Sequence, residues 1–249
     1  MWDTGRIITL LDLTELSSTA TERDVSQLWF RAQVLGAAAV CTWPRFIGVI
    51  GHPGRSTVPV PAVVVNFPSG DGPLDAALAE VANAARDGAL EFDVVLPYRA
   101  LLAGDREAVR SFLVPVVEAV HAHAGKAKII LETGALEAAG LVTEASLLAV
   151  EAGADFLKTS TGKHERGASV GAVTEMLEVI RSAPHPVGLK VSGGVRRRRD
   201  AEVYLDLAAS VMGESWVRPE NFRIGASSLL DDLLDPPTGS SGAQPRAGY

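Results

Sequence analysis

Three charged side chains sit inside apolar runs, where a charge is expensive: Asp93 in EFDVVLP, Lys158 in ADFLKTS and Lys190 in VGLKVSGG. A buried charge must be paired, lose its charge by titration, or face a polar cavity. Asp12, in ITLLDL, is a fourth. A lone lysine of this kind is ordinarily a strand-end residue whose head group reaches water, but several charges at or near the C-terminal ends of their runs point to one shared site. Lys158 and Lys190 are separated by the length of one β/α unit, so adjacent strands would bring them side by side. Repulsion between two ammonium groups, added to burial, lowers the pKa of one and leaves a neutral amine that can attack a carbonyl at pH 7. This is a physical route to a Schiff-base lysine. Lys163 is the competing candidate, but it follows Gly162 in a loop, where hydration keeps an ammonium protonated and a poor nucleophile.

A phosphate site can be read from the same half of the chain. Gly193-Gly194 closes the Lys190 run, and Ser227-Ser228 follows Gly225-Ala226 where a strand gives way to an apolar helix. Bare backbone amides in a glycine loop and the positive end of a short helix are how α/β barrels commonly hold phosphate. The bland alternatives are a turn and a helix cap. The run Arg196 to Arg199 reads as a solvated helix start in which Arg196 raises the local potential for an anion.

The elements that must position these groups are short apolar runs alternating with longer helical segments, the pattern of a parallel sheet with crossover helices. The strand candidates are Ile7 to Leu13, Ala37 to Cys41, Pro61 to Val65, Glu91 to Leu96, Lys128 to Leu131, Phe156 to Thr159, Val187 to Val191 and Phe222 to Gly225. That number and alternation predict a (β/α)8 barrel of the TIM type, for which about 250 residues is the usual length. Pro73 to Asp87, with Leu74, Ala77, Leu78 and Val81 at helical spacing and Gly88 as a stop, predicts one crossover helix. Arg106 to Ala124 and Thr174 to Arg181 predict two more. The Gly- and Pro-rich stretch Gly51 to Pro59 reads as an irregular loop after a short helix. No linker divides residues 1–234, and 235–249, beginning Asp-Pro-Pro-Thr-Gly-Ser-Ser-Gly, reads as a flexible tail without core-forming residues.

Composition excludes several classes of function. The 249-residue chain is 47% hydrophobic and 21% charged, an ordinary globular balance. A formal charge of −7 disfavours nucleic-acid and anionic-membrane partners, which reward excess Lys and Arg. The single cysteine, Cys41, cannot form an internal disulfide, the amino terminus lacks a secretory pattern, and no run approaches the roughly 18 apolar residues of a membrane helix. A cytoplasmic protein is expected. His52, His121, His123, His164 and His185 fall outside the strand candidates without the spacing of a zinc site, so no metal is expected.

The segments FLKTSTGK, FDVVLPYRAL, GLKVSGGVR and FRIGASSLL together resemble the deoxyribose-phosphate aldolase family. LLDLTEL around Asp12, VCTWPRF around Cys41 and VVVNFPSG around Asn66 extend the resemblance over nearly the whole chain. The resemblance implies a class I aldolase that reversibly cleaves 2-deoxy-D-ribose 5-phosphate to acetaldehyde and D-glyceraldehyde 3-phosphate without a cofactor. It implies Lys158 as the Schiff-base lysine, Lys190 as the second lysine that depresses its pKa, and Asp93 as the carboxylate that moves protons with an ordered water. Asp12 would support that relay, and Thr161, Gly162, Lys163, Gly193, Gly194, Ser227 and Ser228 would contact substrate and phosphate. Tyr249 matches a C-terminal tyrosine that swings in to assist proton exchange at the enamine carbon. A homodimer is also implied as a possible assembly. The chain departs from the family where Lys190-Val191-Ser192-Gly193-Gly194 replaces the frequent Lys-Pro-Ala-Gly-Gly, and loss of the proline is expected to relax the loop beside the phosphate site. Cys41 lies where the family often has a cysteine near the pocket, although a small buried thiol accounts for it.

Two other classes share these features. A sugar-phosphate isomerase or a different Schiff-base aldolase would have the same barrel and glycine loop, and a non-catalytic sensor would bind the phosphosugar without turnover. The lysine pair discriminates against the isomerase, which has no covalent use for it.

Overall fold

The computed structural model describes residues 2–50 and 59–234. Eight parallel strands run β1 Leu11–Glu15, β2 Ala39–Thr42, β3 Val60–Val65, β4 Glu91–Val95, β5 Lys126–Ile130, β6 Phe156–Lys158, β7 Gly188–Ser192 and β8 Phe222–Ala226. Each pairs with the next, and β8 pairs with β1, closing the sheet into a barrel. Helices wrap it, among them Glu22–Leu35, Leu74–Arg86, Arg106–Ala122, Val142–Glu151, Val170–Arg181 and Arg198–Met212.

Because helices cover its outer face, such a sheet is apolar in continuous runs and not in alternation. This is why the runs are readable as strands. The main core lies between barrel and helices, with Phe92, Val94, Ile129, Leu157, Leu189 and Ile224 packed against helix residues such as Val81, Leu113 and Leu177. Inside the barrel a smaller apolar cluster, Ala39, Cys41, Ala62 and Val64 with Leu16 above, fills the β2–β3 side. The remaining interior holds charged side chains together with buried Phe156, whose ring centroid lies 5.7 Å from the Arg223 guanidinium.

The first strand differs from expectation. Ile7 and Ile8 belong to a short helix, Thr4–Ile8, whose start is capped by the Asp3 side chain accepting from the Arg6 amide. Their apolar character serves burial against the core and not strand pairing, so β1 begins later, at Leu11. The helix expected from Thr174 begins earlier, at Val170, because Ser169 caps it by accepting from the Ala172 amide. Residues 51–58, read from sequence as an irregular loop, lie outside the described residues.

Candidate active site

Lys158 is the last residue of β6, and it is the only one of the four sequence-derived charges at the C-terminal end of its strand. Asp93 and Lys190 occupy the middle of β4 and β7, and Asp12 is the second residue of β1. The sequence runs place all four at or near strand ends, whereas Asp93, Lys190 and Asp12 lie within their strands. Strand register sets Lys158 beside Lys190, and the absence of a side chain on Gly225 makes room for the second lysine. A Cβ at that glycine would lie 3.0 Å from Lys190 Cε.

One carboxylate oxygen joins the lysines. Asp93 Oδ2 accepts from Lys158 Nζ at 2.7 Å and from Lys190 Nζ at 2.6 Å. Its Oδ1 accepts from Lys128 Nζ at 3.1 Å. Asp12 Oδ2 accepts from Lys128 at 3.0 Å and pairs with Lys190 at 2.6 Å. Burial opposes charge on every one of these groups, and the outcome depends on the partners. Burial would raise the Asp93 carboxyl, but Lys128, Lys158 and Lys190 outweigh it and hold the group well below the usual carboxylate range. Burial would lower Lys190, but Asp12 and Asp93 hold it above the ordinary lysine value. Lys158 goes the other way: burial is the chief cause of its lowered pKa, Asp93 opposes that shift, and repulsion from Lys190 adds to it. The two lysines are shifted in opposite directions, and for Lys158 burial is a larger cause than the repulsion anticipated from sequence. Cys41 Sγ points at Asp93 Oδ2 from 3.7 Å, and burial next to that carboxylate pushes the thiol up to about 11.

Above Lys158 a cavity of about 580 Å³ opens at the C-terminal face. Thr161, Gly162, Lys163, Gly193, Gly194 and Ser227 line it, so six of the expected contact residues share one wall with the amine. Ser228 does not line it and is exposed at the start of Leu229–Leu234. Thr14, Ser17, Ser18 and Arg196 complete the rim. Lys163 folds back over the β1 loop, its Nζ donating to the Leu16 carbonyl at 2.7 Å. Tyr249 lies outside the described residues.

The glycine loop is not slack. Ser192 donates from its amide to Thr159 Oγ1 at 2.9 Å and from its hydroxyl to the Ser160 carbonyl at 2.6 Å, while Thr159 Oγ1 donates to the Ser192 carbonyl at 2.8 Å. Ser192 thus ties the end of β7 to the residues that follow β6. Gly193 and Gly194 continue from it at φ 86° and 91°, a conformation that favours glycine.

Four participants were not identified from sequence. Lys128 contacts Asp12, Glu91 and Asp93. Arg223 pairs with Asp12 at 2.7 Å and with Glu91 at 3.1 Å. These three charges begin or nearly begin their strand runs, where a charge reads as a solvated end, yet Glu91 and Asp93 are two apart in β4 and so face the same side. The fourth is Glu132, fully buried just past β5 at φ 57°. Its Oε2 accepts from the Thr161 amide at 3.2 Å and hydroxyl at 2.5 Å, and its Oε1 is the one buried side-chain polar atom without a partner among the described residues.

Of the histidines, His121 pairs with Asp155 at 2.8 Å, His185 approaches the Ala154 carbonyl at 3.3 Å, His164 stands 3.9 Å from Glu132 Oε2, and His52 lies outside the described residues. No cluster of three or more His, Cys, Asp and Glu side chains suited to a metal occurs among the described residues.

A closed parallel barrel that buries a lowered-pKa lysine beneath an open cavity has the architecture of a Schiff-base aldolase. The DeoC/LacD family aldolase model matches residues 6–235, and the chain belongs to that family. A deoxyribose-phosphate aldolase of Agrobacterium fabrum is 41% identical over 245 residues, covering 97% of this chain and 94% of the relative. The tetrameric deoxyribose phosphate aldolase of Aeropyrum pernix is 26% identical and superimposes with a TM-score of 0.75, covering 93% of this chain and 92% of the other. A second solved structure, the aldolase QR15, is 25% identical with a TM-score of 0.77 over 92% of this chain and 96% of the other.

Proposed function

We propose that this family aldolase cleaves 2-deoxy-D-ribose 5-phosphate reversibly to acetaldehyde and D-glyceraldehyde 3-phosphate, through a Schiff base on Lys158. The observation that carries the reading is the contrast between the lysines: Lys190 touches two carboxylates, whereas Lys158 touches one and faces the cavity. The extent of identity to the Agrobacterium enzyme supports the substrate.

In this reading neutral Lys158 attacks the substrate carbonyl carbon to give a carbinolamine. Asp93 Oδ2, shared between both ammonium sites, guides protons as water leaves and the iminium forms. The C3 hydroxyl then gives its proton to Asp93 through an ordered water, its oxygen becomes the new aldehyde carbonyl, and the iminium nitrogen receives the electron pair of the breaking carbon–carbon bond. D-Glyceraldehyde 3-phosphate departs, and the enamine is protonated and hydrolysed to acetaldehyde, with Tyr249 assigned to the protonation. Asp12 holds Lys190 in place and charged. Gly162, Lys163, Gly193, Gly194 and Ser227, with Ser228 behind them, bind the phosphate end, and Thr161 orients the chain of the sugar. Fixing that end makes the cleavage effectively unimolecular, a gain of several kcal/mol.

We assign the catalytic barrel to residues 1–234, with 235–249 as an appended tail that brings Tyr249, and place the enzyme in the cytoplasm as a homodimer. The exposed Phe30 and Val34 on Glu22–Leu35 support self-association, and no helix among the described residues is long and apolar enough to cross a membrane. The test is incubation with 2-deoxyribose 5-phosphate and borohydride, followed by intact mass and peptide mapping. A reduced adduct on Lys158 is expected. Binding of the phosphosugar without an adduct would favour an isomerase or a sensor.

A further inference from the structure

The ion pairs of the site continue below it. From Lys158 at the cavity floor they pass through Asp93 and Lys190 to Asp12 and Lys128, then to Arg223 and Glu91 near the N-terminal ends of β8 and β4. Every member is buried. The column holds four basic side chains, Lys128, Lys158, Lys190 and Arg223, against three carboxylates, Asp12, Glu91 and Asp93. Cys41, raised to about 11, is uncharged at neutral pH and does not redress the difference. A surplus charge in a dry interior is costly, so one base gives up its proton.

The contacts decide which. Arg223 cannot deprotonate. Lys128 has three carboxylate partners, Asp12 at 3.0 Å, Glu91 at 2.6 Å and Asp93 at 3.1 Å. Lys190 has two, each at 2.6 Å. Lys158 has one, at 2.7 Å. The least compensated base is the nucleophile.

We propose that Arg223 and Glu91, remote from the cavity, are positioning residues that set the charge balance of the column and thereby leave Lys158 as the free amine. This rests on the assignment of Lys158 above. The groups facing the column are Asp12 from β1, Cys41 from β2, Glu91 and Asp93 from β4, Lys128 from β5, Lys190 from β7 and Arg223 from β8, while β3 supplies no titratable side chain; Lys126 and Glu220 line a cavity at the N-terminal end together with Glu91 and Arg223. Glu15, Lys163 and Arg196 stand at the cavity rim, and buried Glu132 is engaged with Thr161.

Charge counting makes the test directional. Arg223→Gln removes the surplus, and Lys158 should hold its proton to higher pH. Glu91→Gln enlarges the surplus, and Lys158 should lose its proton at lower pH. The double substitution restores the original difference and should return the midpoint. A unit charge roughly 10 Å away at an effective dielectric of about 20 is worth about one pH unit, which is the expected size of each single shift.

The experiment is acetylation of the full-length protein with trace acetic anhydride across a pH series, with Lys158 reactivity read by peptide mass spectrometry and folding checked by circular dichroism. It needs no substrate. Opposite shifts in the two single variants and recovery in the double variant are expected. Shifts in the same direction, or no shift in folded variants, would overturn the inference. Glu91→Gln is isosteric, and it carries the test with the double variant if Arg223→Gln does not fold. Should Lys158 of the unsubstituted enzyme titrate like an exposed lysine, the Schiff-base reading itself fails; a low midpoint that neither substitution moves overturns the charge-balance inference alone.

Discussion

The interior of the barrel and its C-terminal rim handle polarity in opposite ways. Inside, full charges are buried and compensated only by one another, with Asp93 receiving three lysines and Asp12 two lysines and an arginine. At the rim the polar groups are hydroxyls, glycine backbone, the exposed cations Lys163 and Arg196 and the Glu15 carboxylate around an open cavity. A dry network of fixed charges controls whether an amine is charged. An open rim of hydroxyls, backbone amides and solvent-exposed charges offers affinity without perturbing that control. Interior substitutions should therefore act on kcat and rim substitutions on KM.

The largest effect is expected from Lys158→Leu. Loss of the nucleophile should lower kcat by about 10⁴-fold or more, with the borohydride adduct abolished. The melting temperature should hold or rise at pH 7, because the substitution removes the least compensated base from the interior. Retained cleavage, or collapse of the fold, would break the division between chemistry and packing drawn here. Asp93→Asn comes next. It removes the acceptor common to Lys128, Lys158 and Lys190, and should cost about 10²–10³-fold in kcat. Unlike Lys158→Leu it should also destabilise, by about 3–5 kcal/mol in a denaturant titration, since it strands buried cations. An effect confined to KM would place Asp93 with the rim.

The same network predicts how stability follows pH. Asp12, Glu91 and Asp93 are held low by their lysine and arginine partners against the opposing effect of burial. Their contribution is full above the unfolded carboxyl value near 4 and is lost as pH falls through the folded values. Lys128 and Lys190 are held high by carboxylates, again against burial. Their contribution is full below the unfolded lysine value near 10.4 and is lost as pH rises through the folded values. Lys158 has the reverse sign of the other lysines: its lowered pKa costs stability at lower pH, a cost that Lys158→Leu removes. Melting temperature should fall below about pH 4 and above about pH 10, and in between it should rise with pH wherever Lys158 is neutral in the folded enzyme but charged in the unfolded chain, a rise that Lys158→Leu removes. A sharp loss between pH 6 and 8 would show that the network is not the main titrating element.

The two regions were also unequally legible in the sequence. A charge in the middle of an apolar run, as with Asp93 or Lys190, is conspicuous because burial on both sides of a parallel strand leaves few polar positions to confuse it. The depth of each charge was hidden: Ile7 and Ile8 extended the first run backward and placed Asp12 at its end, whereas the Asp3 cap starts a helix there and leaves Asp12 early in β1. Lys128, Glu91 and Arg223 open their runs, and nothing local distinguishes a solvated first residue from one turned inward. The Glu91–Asp93 spacing held that information, but only once the facing side was known. Glu132 had no such signal, since its bond to Thr161 spans two loops.

The smallest effect tests whether the rim depends on shape as much as on charge. Gly167 packs directly against the Gly193 carbonyl, and any Cβ there would collide with backbone that has no rotamer to move. The neighbouring Ala168 amide donates to that carbonyl at 3.0 Å, so the loop carrying Lys163 is joined to the loop carrying the two glycines. Gly167→Ala should displace Gly193 and Gly194 by a fraction of an ångström, enough to misalign amides offered to an anion. We expect KM for the phosphosugar to rise about tenfold, with kcat within about twofold and the Lys158 acetylation midpoint unchanged. Inorganic phosphate should weaken as a competitive inhibitor in parallel, because it would occupy the same amides without touching Lys158. A fall in kcat with KM preserved would mean that this loop positions the reacting carbonyl and not the phosphate, and the separation of rim from interior would have to be redrawn at Ser192, where Thr159 and Ser160 tie the two together.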